Sequence, residues 1–329
     1  MGFSDRVERT GTSQTARQIP ESVASTVLSD VYEGSLALKL GNTFRMPAYS
    51  HRIPVLKAFA TAAWIDGASQ SAKDSAKKQT TNATWDNVYV TPDELAVLVP
   101  VPDAWMADSN IAWSEIRKEV SRAFARAIDQ AILFGDGSPP VGFSGPVGGI
   151  VGGAVAAGNF TTIGTTFSGS YNDVGLDLAN VAEDLANDGY DPNGWAARKG
   201  FRWKLVKVRD TVGQPVYTST VTSPDGPSTA SLYDIPYYEC GNGAWDNTEA
   251  YAITGEWDLL AIGIRADMTF TLHTDGVIQD NSGAIVYNAM QNDGKILRAV
   301  IRLGYNVPNP VKALGGSFPF GLLRPVGAS

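Results

Sequence analysis

A single long amphipathic helix, predicted over residues 111–134, sets the scale of any domain that this chain can form. Its apolar side chains recur at spacings of three and four residues and form one stripe: Ile116, Val120, Phe124, Ala127, Ile128 and Ala131. Asp108, Ser109 and Asn110 offer N-caps, and Gly135 lies where a glycine commonly ends a helix. At about 1.5 Å per residue the helix is about 36 Å long, so it spans a whole domain.

Runs that favour β-strands lie on both sides of this helix. They precede it at residues 52–56, 62–65, 85–90 and 95–101. They follow it at residues 251–254, 259–264, 268–273 and 296–307. Further helical patterns cover residues 173–188 and 201–209, and irregular structure is expected in the glycine-rich residues 136–170. The sequence therefore predicts a mixed α+β fold in which strands from the two halves of the chain meet in one sheet.

Two segments lack a core of their own. Residues 1–51 carry short apolar clusters at residues 23–31 and 36–40, so we expect this arm to pack on another part of the chain or on another subunit. Residues 66–84 are polar and separate two of the predicted strands. A connection of this length is uncommon inside a compact domain, so it predicts a projecting hairpin.

Composition excludes several classes of protein. The one cysteine, Cys240, cannot form an internal disulfide, and the two histidines, His51 and His273, leave no spacing typical of a zinc site. The N-terminal residues lack the apolar stretch of a signal peptide. The most apolar window, residues 147–158, is shorter than the about 20 residues that a membrane helix needs. We expect a protein of the reducing cytoplasm with no metal, no cofactor and no membrane contact.

Charge is sparse and unevenly distributed. Charged residues make up 18% of the chain, and the formal net charge is −8, which argues against a sequence-reading nucleic-acid binder. Residues 127–197 contain no Lys or Arg, whereas six basic residues lie within residues 198–209. A surface short of charge and rich in Gly, Trp and Tyr indicates that other molecules cover much of it, and copies of the chain are one candidate.

No catalytic motif stands out. The chain has neither a Gly-x-Ser-x-Gly nucleophile motif nor a phosphate-binding loop. A Ser-His-Asp triad would need His51 or His273, for which a hydrogen-bonded structural role is the favoured interpretation. The acidic pair Glu183 and Asp184 could in principle hydrolyse a glycoside, but neighbours in a helix point about 100° apart. We predict no catalysis.

The basic residues Lys118, Arg122 and Arg126 follow one another at intervals of four on the polar side of the long helix. Two interpretations stay open: a solvated face on which Arg122 pairs with Glu119, or a surface that faces a polyanion through salt-sensitive phosphate contacts. In residues 198–209, Trp203, Leu205 and Val208 interleave with the basic residues, which favours a helix with a buried side.

Several short motifs occur in a set order along residues 19–313. They are Ile19-Pro20-Glu21-Ser22-Val23, Ile53-Pro54-Val55-Leu56, Leu98-Val99-Pro100-Val101-Pro102, Phe134-Gly135-Asp136-Gly137, Gly213-Gln214-Pro215-Val216, Ile253-Thr254-Gly255-Glu256-Trp257 and Ile262-Gly263-Ile264-Arg265. In this order and spacing they resemble the major capsid proteins of tailed double-stranded DNA bacteriophages, which have the Hong Kong 97-type fold.

The resemblance implies a three-part subunit: a periphery domain, an axial domain, and an arm and extended loop that reach onto neighbours. Along the chain these parts occupy five segments. They are an N-terminal arm at residues 1–51, an extended β-hairpin loop with flanking strands at 52–100, a spine helix of the periphery domain at 101–139, an axial domain at 140–250, and periphery-domain strands with a C-terminal tail at 251–329. The candidate contacts with neighbouring subunits lie in the extended loop: Asp66, Lys73, Lys77 and Lys78.

The implied function is that of a structural major capsid protein. Pentamers and hexamers would form an icosahedral shell around the double-stranded DNA, with Lys118, Arg122 and Arg126 facing the lumen and making weak, non-specific contacts. Because the chain begins near the arm, a separate scaffolding protein is expected, together with a portal and decoration proteins. The implied location is the virion capsid, assembled in the bacterial host cytoplasm.

Some members of this family cross-link a loop lysine to an asparagine of a neighbour. Here the lysine would be Lys73, Lys77 or Lys78 and the asparagine Asn288 or Asn292. No local pattern fixes either partner, so no cross-link is predicted.

Two alternatives stay open at this point. An encapsulin-like nanocompartment would use the same fold to enclose protein cargo, and the nucleic acid inside purified particles distinguishes it from a phage shell. A soluble α+β carbohydrate-active hydrolase would use the many Trp, Tyr and acidic residues, and it predicts a monomer with saturable turnover.

Overall fold

The computed structural model describes residues 16–18, 30–31, 34–64, 81–103, 110–135, 145–164, 167–168, 171–172, 174–206, 231–280, 282–316 and 318–328. The α-helices within these ranges are α1 (Leu36–Leu40), α2 (Asn110–Asp129), α3 (Gly149–Ala157), α4 (Val174–Asn187) and α5 (Phe201–Val206). A π-helical turn, Gln130–Phe134, continues α2, and a 3₁₀ turn occupies Trp257–Leu259.

The β-strands of the described residues follow one another in chain order. They are β1 (Ala16–Gln18), β2 (Asn42–Arg45), β3 (His51–Ala58), β4 (Thr84–Val90), β5 (Asp93–Pro102), β6 (Phe160–Thr162), β7 (Phe167–Ser168), β8 (Tyr171–Asn172), β9 (Gly194–Arg198), β10 (Ser231–Leu232), β11 (Ile235–Cys240), β12 (Ala252–Gly255), β13 (Ala261–His273), β14 (Val277–Gln279), β15 (Ile285–Asn288), β16 (Gly294–Asn306) and β17 (Phe320–Arg324).

The first large sheet joins the two halves of the chain, as the sequence predicts. Its strand order is β1-β13-β16-β5, and β2 lies parallel to the start of β13. β5 and β16 are antiparallel, with Leu95 opposite Ile301. The apolar stripe of α2 shares one core with this sheet, in which Val120 and Phe124 are buried together with Leu297. The long helix therefore lies across strands that come from both ends of the sequence.

The second large sheet has the order β10-β11-β9-β12-β17-β6. Leu178 of α4 and both Phe201 and Leu205 of α5 are buried with Trp195 of β9 in one core on one side of this sheet. The strands β12 and β17 belong to residues 251–329 but pair with strands of residues 140–250. The predicted boundary at residue 250 therefore does not separate the two sheets, because the chain returns twice to the second sheet.

The predicted helix at 111–134 is confirmed as α2 and its π-helical turn, which ends at Gly135 with φ 64°. The prediction of irregular structure throughout residues 136–170 is wrong, because α3 occupies Gly149–Ala157. The prediction of a strand at 62–65 is also wrong over residues 62–64, which are exposed and irregular, and Ile65 is outside the described residues. No helix in the described ranges is long and apolar enough to cross a bilayer.

Candidate assembly surfaces

A buried carboxylate holds α1 against the end of α2. Asp129 has no exposed surface, and its Oδ1 atom accepts hydrogen bonds from Ser35 Oγ at 2.6 Å and from the backbone N–H of Ala37 at 2.9 Å. Its Oδ2 atom accepts from the backbone N–H of Leu36 at 2.9 Å and from Asn242 Nδ2 at 2.6 Å. Asp129 thus joins the arm, the long helix and the loop after β11 at one point.

Burial governs the electrostatics of this junction. Burial raises the pKa of Asp129, and the hydrogen bonds from Ser35, Ala37, Leu36 and Asn242 oppose that rise. Burial, and then the neighbouring charge of Asp129, raise the pKa of the Cys240 thiol to about 11. The thiol is therefore protonated at neutral pH and donates to Asn242 Oδ1 at 3.0 Å. This makes Cys240 part of the junction and not a reactive nucleophile.

The antiparallel pair β3 and β4 takes the place of the predicted hairpin: β4 is the expected second strand, but the first strand is His51–Ala58 and not residues 62–65. Two hydrogen bonds join it to the rest of the subunit, from the backbone N–H of Val311 to the Leu56 carbonyl and from Asn306 Nδ2 to the Tyr89 carbonyl, both at 2.9 Å. Its aromatic side chain Trp85 is 67% exposed, and Trp64, beyond the end of β3, is 99% exposed. The loop residues Asp66, Lys73, Lys77 and Lys78 lie outside the described residues.

One exposed ion pair joins the two strands of this hairpin. Lys57 Nζ lies 3.2 Å from Asp86 Oδ2 across the two strands. The backbone N–H of Asn87, and then Lys57, lower the pKa of Asp86 below its ordinary value. Both side chains are in water, so the pair adds little to stability.

The structure places Lys118, Arg122 and Arg126 together on the exposed side of α2. Arg122 Nη1 lies 2.9 Å from Glu119 Oε1, so the predicted pairing between these two residues is confirmed. The side chains of the pair are more than 70% exposed, which leaves the stripe accessible to a partner.

A second basic surface lies around α5. The interpretation that Trp203 belongs to the buried side of this helix is wrong: Trp203 is 57% exposed, and Phe201 and Leu205 supply the buried side. The helix begins on Glu239, whose carboxylate accepts the backbone N–H groups of Gly200 and Arg202, each at 3.2 Å. Its position over the sheet turns Trp203 outward. Val208 lies outside the described residues.

An ion cluster that the sequence analysis missed fastens β5 to β16. Glu94 Oε2 accepts from Arg302 Nη2 at 2.7 Å, and Glu94 Oε1 accepts from Arg298 Nη2 at 3.1 Å. These hydrogen bonds, that of Arg302 above all, lower the pKa of Glu94. The sequence does show that Arg298 and Arg302, four residues apart, lie on the same face of a strand. Only the register between β5 and β16 shows that Glu94 lies opposite Arg302.

Comparison with known proteins gives these surfaces a context. No curated protein matches this sequence. Residues 17–314 match the phage capsid family.

The chain belongs to the phage capsid family.

Solved structures agree with this assignment. A chain from Microbacterium phage Oxtober96 is 30% identical, with a TM-score of 0.72, and the match covers 89% of this chain and 91% of that one. A chain from Mycobacterium phage Cain is 25% identical, with a TM-score of 0.74, and the match covers 90% and 92%. The capsid of an empty GTA particle is 16% identical, with a TM-score of 0.56 and coverage of 95% and 94%, and shows the same fold.

The family match confirms the resemblance inferred from the motifs, together with the α+β capsid fold of Hong Kong 97 type. The chain is a major capsid protein, and its role is structural, not enzymatic. The carbohydrate hydrolase is thereby wrong, and an encapsulin-like compartment is not favoured. The place of this protein is the capsid of the virion.

The catalytic candidates of the capsid protein occupy ordinary structural positions. The His51 ring packs against Phe44 with 4.8 Å between ring centroids, and His273 Nε2 lies 3.1 Å from Thr271 Oγ1. Phe44, on which His51 packs, pairs with Gly263 near the start of β13, whereas His273 is the last residue of that strand, so the two histidines do not meet. Within the described ranges, no group of three or more His, Cys, Asp or Glu side chains is arranged to hold a metal ion.

Proposed function

We propose that this capsid protein assembles as pentamers and hexamers into an icosahedral shell that encloses double-stranded DNA. The observation that carries the proposal is the β3–β4 hairpin, whose aromatic side chains lie in water in the isolated chain. A two-stranded hairpin is only marginally stable by itself. Burial of Trp85 and Trp64 against neighbouring subunits supplies the missing apolar contact, at about 25 cal/mol for each Å² covered.

The two sheets support a division of the subunit into a periphery and an axial domain. The sheet β1-β13-β16-β5 with α2 forms the periphery domain, and the sheet β10-β11-β9-β12-β17-β6 with α4 and α5 forms the axial domain. The arm, joined to both through Asp129, and the β3–β4 hairpin extend toward neighbours. In this arrangement the axial domains meet around the five-fold and six-fold axes.

The exposed stripe of Lys118, Arg122 and Arg126 supports a lumen-facing contact with DNA. Three cations spaced one helical turn apart match a repeating phosphate backbone and carry no sequence information. The net charge of −8 repels DNA from the rest of the subunit, so that packaged DNA is touched weakly and is not held. Such contacts weaken steeply as the salt concentration rises.

Assembly in the bacterial host cytoplasm involves further partners in this proposal. A separate scaffolding protein guides the closing of the shell, a portal occupies one vertex, and decoration proteins bind the outer surface. The charge-poor, aromatic surface of the subunit suits several successive protein contacts.

The test is the assembly state of the full chain purified from a heterologous host. Light scattering and negative-stain microscopy are expected to show closed shells, or pentamers and hexamers that close when scaffolding protein is added. Particles from infected cells are expected to contain DNA. A monodisperse 35.0 kDa monomer at high concentration, unchanged by salt, crowding or scaffold, would contradict the proposal.

A further inference from the structure

The basic surface around α5 has an unusual combination of features. Arg198, Lys199, Arg202 and Lys204 flank the exposed Trp203 in the sequence, and none of the four forms an ion pair with a described acidic side chain. The guanidinium of Arg202 lies 4.7 Å from the centre of the Trp203 ring, and Lys204 Nζ lies 3.9 Å from the centre of the Tyr251 ring. The carboxylate of Glu239, the nearest acid, is occupied by backbone N–H groups and the Tyr237 hydroxyl.

This surface, which we call the basic face, has the composition of an interface centre. An exposed Trp surrounded by cations is the type of residue set that supplies most of the energy of protein contacts. Within the basic face, Arg198 Nε is buried and makes no hydrogen bond, although Arg198 Nη1 reaches Asn247 Oδ1 at 3.5 Å. The Arg198 guanidinium is held within the subunit, 4.8 Å from the centre of the Tyr251 ring.

The same domain carries a surface of opposite charge at its other end. Glu183, Asp184, Asp188 and Asp191 cluster at the end of α4, and none forms an ion pair with a described basic side chain. Burial, and then the charges of Glu183 and Asp188, raise the pKa of Asp184, which shows how closely the acids crowd. The neighbouring Lys312 does not relieve this crowding, because its Nζ is paired with Glu256 at 2.9 Å.

An exposed apolar side chain lies beside these acids. Leu314 is 67% exposed, and a Cβ placed on Gly189 would lie 3.4 Å from the Leu314 Cβ. This acidic face, made of the four acids and Leu314, therefore has an apolar part and a charged rim. The basic face likewise combines an exposed apolar side chain with charged residues, but of the opposite sign. Complementary protein surfaces have this arrangement.

The two faces cannot meet within one chain. Asp191 lies just before β9, which begins at Gly194, whereas Arg198 and Lys199 lie where β9 ends. The length of the strand, about 13 Å, separates them. A surface at one end of a domain that matches a surface at the other end pairs head to tail between copies, and head-to-tail contacts form a ring where the rotation between copies closes.

We infer that the basic face of one subunit binds the acidic face of a second copy, and that this contact closes the capsomer ring. The inference rests on the proposed shell function and assigns residues to its subunit contact. Trp203 packs against Leu314 of the second copy, and Arg202 and Lys199 pair with its acidic rim. Such a contact is salt-sensitive and is made once per subunit around the ring.

Charge reversal tests the inference. Arg202→Glu alone and Asp184→Lys alone each place like charges opposite one another, so each is expected to raise the subunit concentration needed for rings about tenfold. The double variant restores opposite charges and is expected to form rings within about twofold of the parent chain. Mass photometry of the full chain gives the ring populations, and thermal unfolding checks that each variant folds. If Arg202→Glu does not fold, Lys199→Glu takes its place.

A mixture of the two single variants adds a measurement whose result would not change if Arg202 and Asp184 only stabilised the fold of their own subunit. One variant then has an acidic side chain at both contact positions, 184 and 202, and the other has a basic side chain at both. The two variants can therefore alternate around a six-membered ring but not around a five-membered ring. We expect the mixture to form hexamers and no pentamers. The matched control Arg265→Glu, an exposed reversal on β13, is expected to form both.

Each result of these ring-formation experiments either supports or overturns the inference. Normal rings from both single variants would overturn it while leaving the proposed shell function intact, because the parent chain would still assemble. Single variants that fail without rescue in the double variant or the mixture would also overturn it. A parent chain that does not assemble at all would overturn the proposed function and the inference together.

Discussion

Asn242 donates a hydrogen bond from Nδ2 to Oδ2 of Asp129 at 2.6 Å, although 113 residues separate them in the sequence. The same Nδ2 atom lies 3.1 Å from the carbonyl of Gly34, and the Oδ1 atom of Asn242 accepts the backbone N–H of Ala244 at 3.0 Å. The two side chains thus connect α1, the end of α2 and the loop after β11. Three segments that are distant in the sequence share one buried polar junction.

Removal of the Asp129 carboxylate is expected to lower the free energy of unfolding by about 3 kcal/mol. In Asp129→Ala the donors on Ser35, Leu36, Ala37 and Asn242 lose their acceptor in a site that excludes water. Urea unfolding followed by circular dichroism measures this change. The matched control Asp191→Ala removes an exposed carboxylate and is expected to change stability by less than about 0.5 kcal/mol. Equal effects in the two variants would contradict the role given to the junction.

The long helix could be predicted from the sequence because its signals are local. Ile116, Val120 and Phe124 repeat at the helical period, and Gly135 takes the positive φ that ends the turn. Helix α3 could not be predicted in this way. Ile150, Val151 and Ala154 are all buried, so no polar face marks the period, and Gly153 is there because the Phe318 ring packs against its backbone.

The residues of the Asp129 junction could not be predicted from the sequence for a different reason. Asp129 is a single acid at the end of an amphipathic helix, and only its place beside the apolar Ile128 and Ile132 hints at burial. Its partners come from chain segments on either side of it that meet only in the folded subunit. Trp203 was predicted to be buried but is exposed. Helix α5 has only six residues, so the spacing of its apolar side chains does not show which side faces the sheet.

The end of the spine helix is expected to tolerate only glycine. Gly135 has φ 64°, and a Cβ there would lie 2.6 Å from the backbone of Gly148 and Gly149. Gly135→Ala is therefore expected to cost about 3 kcal/mol, from left-handed strain and from displaced backbone. Gly158→Ala is the matched control, since Gly158 has φ 82° but nothing within 4 Å of its Cβ position. Strain alone predicts about 1 kcal/mol for the control. Thermal unfolding of both variants checks the difference, and an equal loss would show that the close contact is unimportant.

The hairpin aromatic Trp85 is expected to matter for assembly and not for the stability of the subunit. Trp85 is 67% exposed, so Trp85→Ala is expected to change the free energy of unfolding by less than about 0.5 kcal/mol. The concentration needed for assembly is expected to rise about tenfold, because the side chain is lost from the contact. Trp257→Ala serves as the opposite control, since that ring is 1% exposed and its Nε1 donates to the Gly194 carbonyl at 2.9 Å. It is expected to cost about 4 kcal/mol of stability. Unfolding and light scattering on the same samples separate the two effects.

The Glu94 cluster is expected to make stability depend on pH in the acid range. The hydrogen bonds from Arg302 are the main cause of the lowered pKa of Glu94, and the charges of Arg302 and Arg298 lower it further. The folded state therefore favours the ionised carboxylate. The stabilisation is complete above the ordinary glutamate pKa and is lost as the pH falls through the lowered value. Glu94→Gln is therefore expected to be less stable than the parent at neutral pH and to approach it in acid. Unfolding curves across this range test the sign, and Glu119→Gln, which loses one exposed pair, is expected to show a smaller difference.

The spine stripe is expected to control the salt dependence of DNA binding. Replacement of Lys118, Arg122 and Arg126 by Gln removes up to three phosphate contacts, each of which contributes about 0.9 to the slope of log affinity against log salt. The slope for a double-stranded fragment of arbitrary sequence is thus expected to fall by about 3, with no change in sequence preference. The matched control neutralises three exposed basic residues elsewhere, Arg52, Lys57 and Arg265. Fluorescence anisotropy of dissociated capsomers at several salt concentrations measures both slopes. If the two triple variants lose the same slope, the contact reflects general charge and not a surface turned toward the lumen.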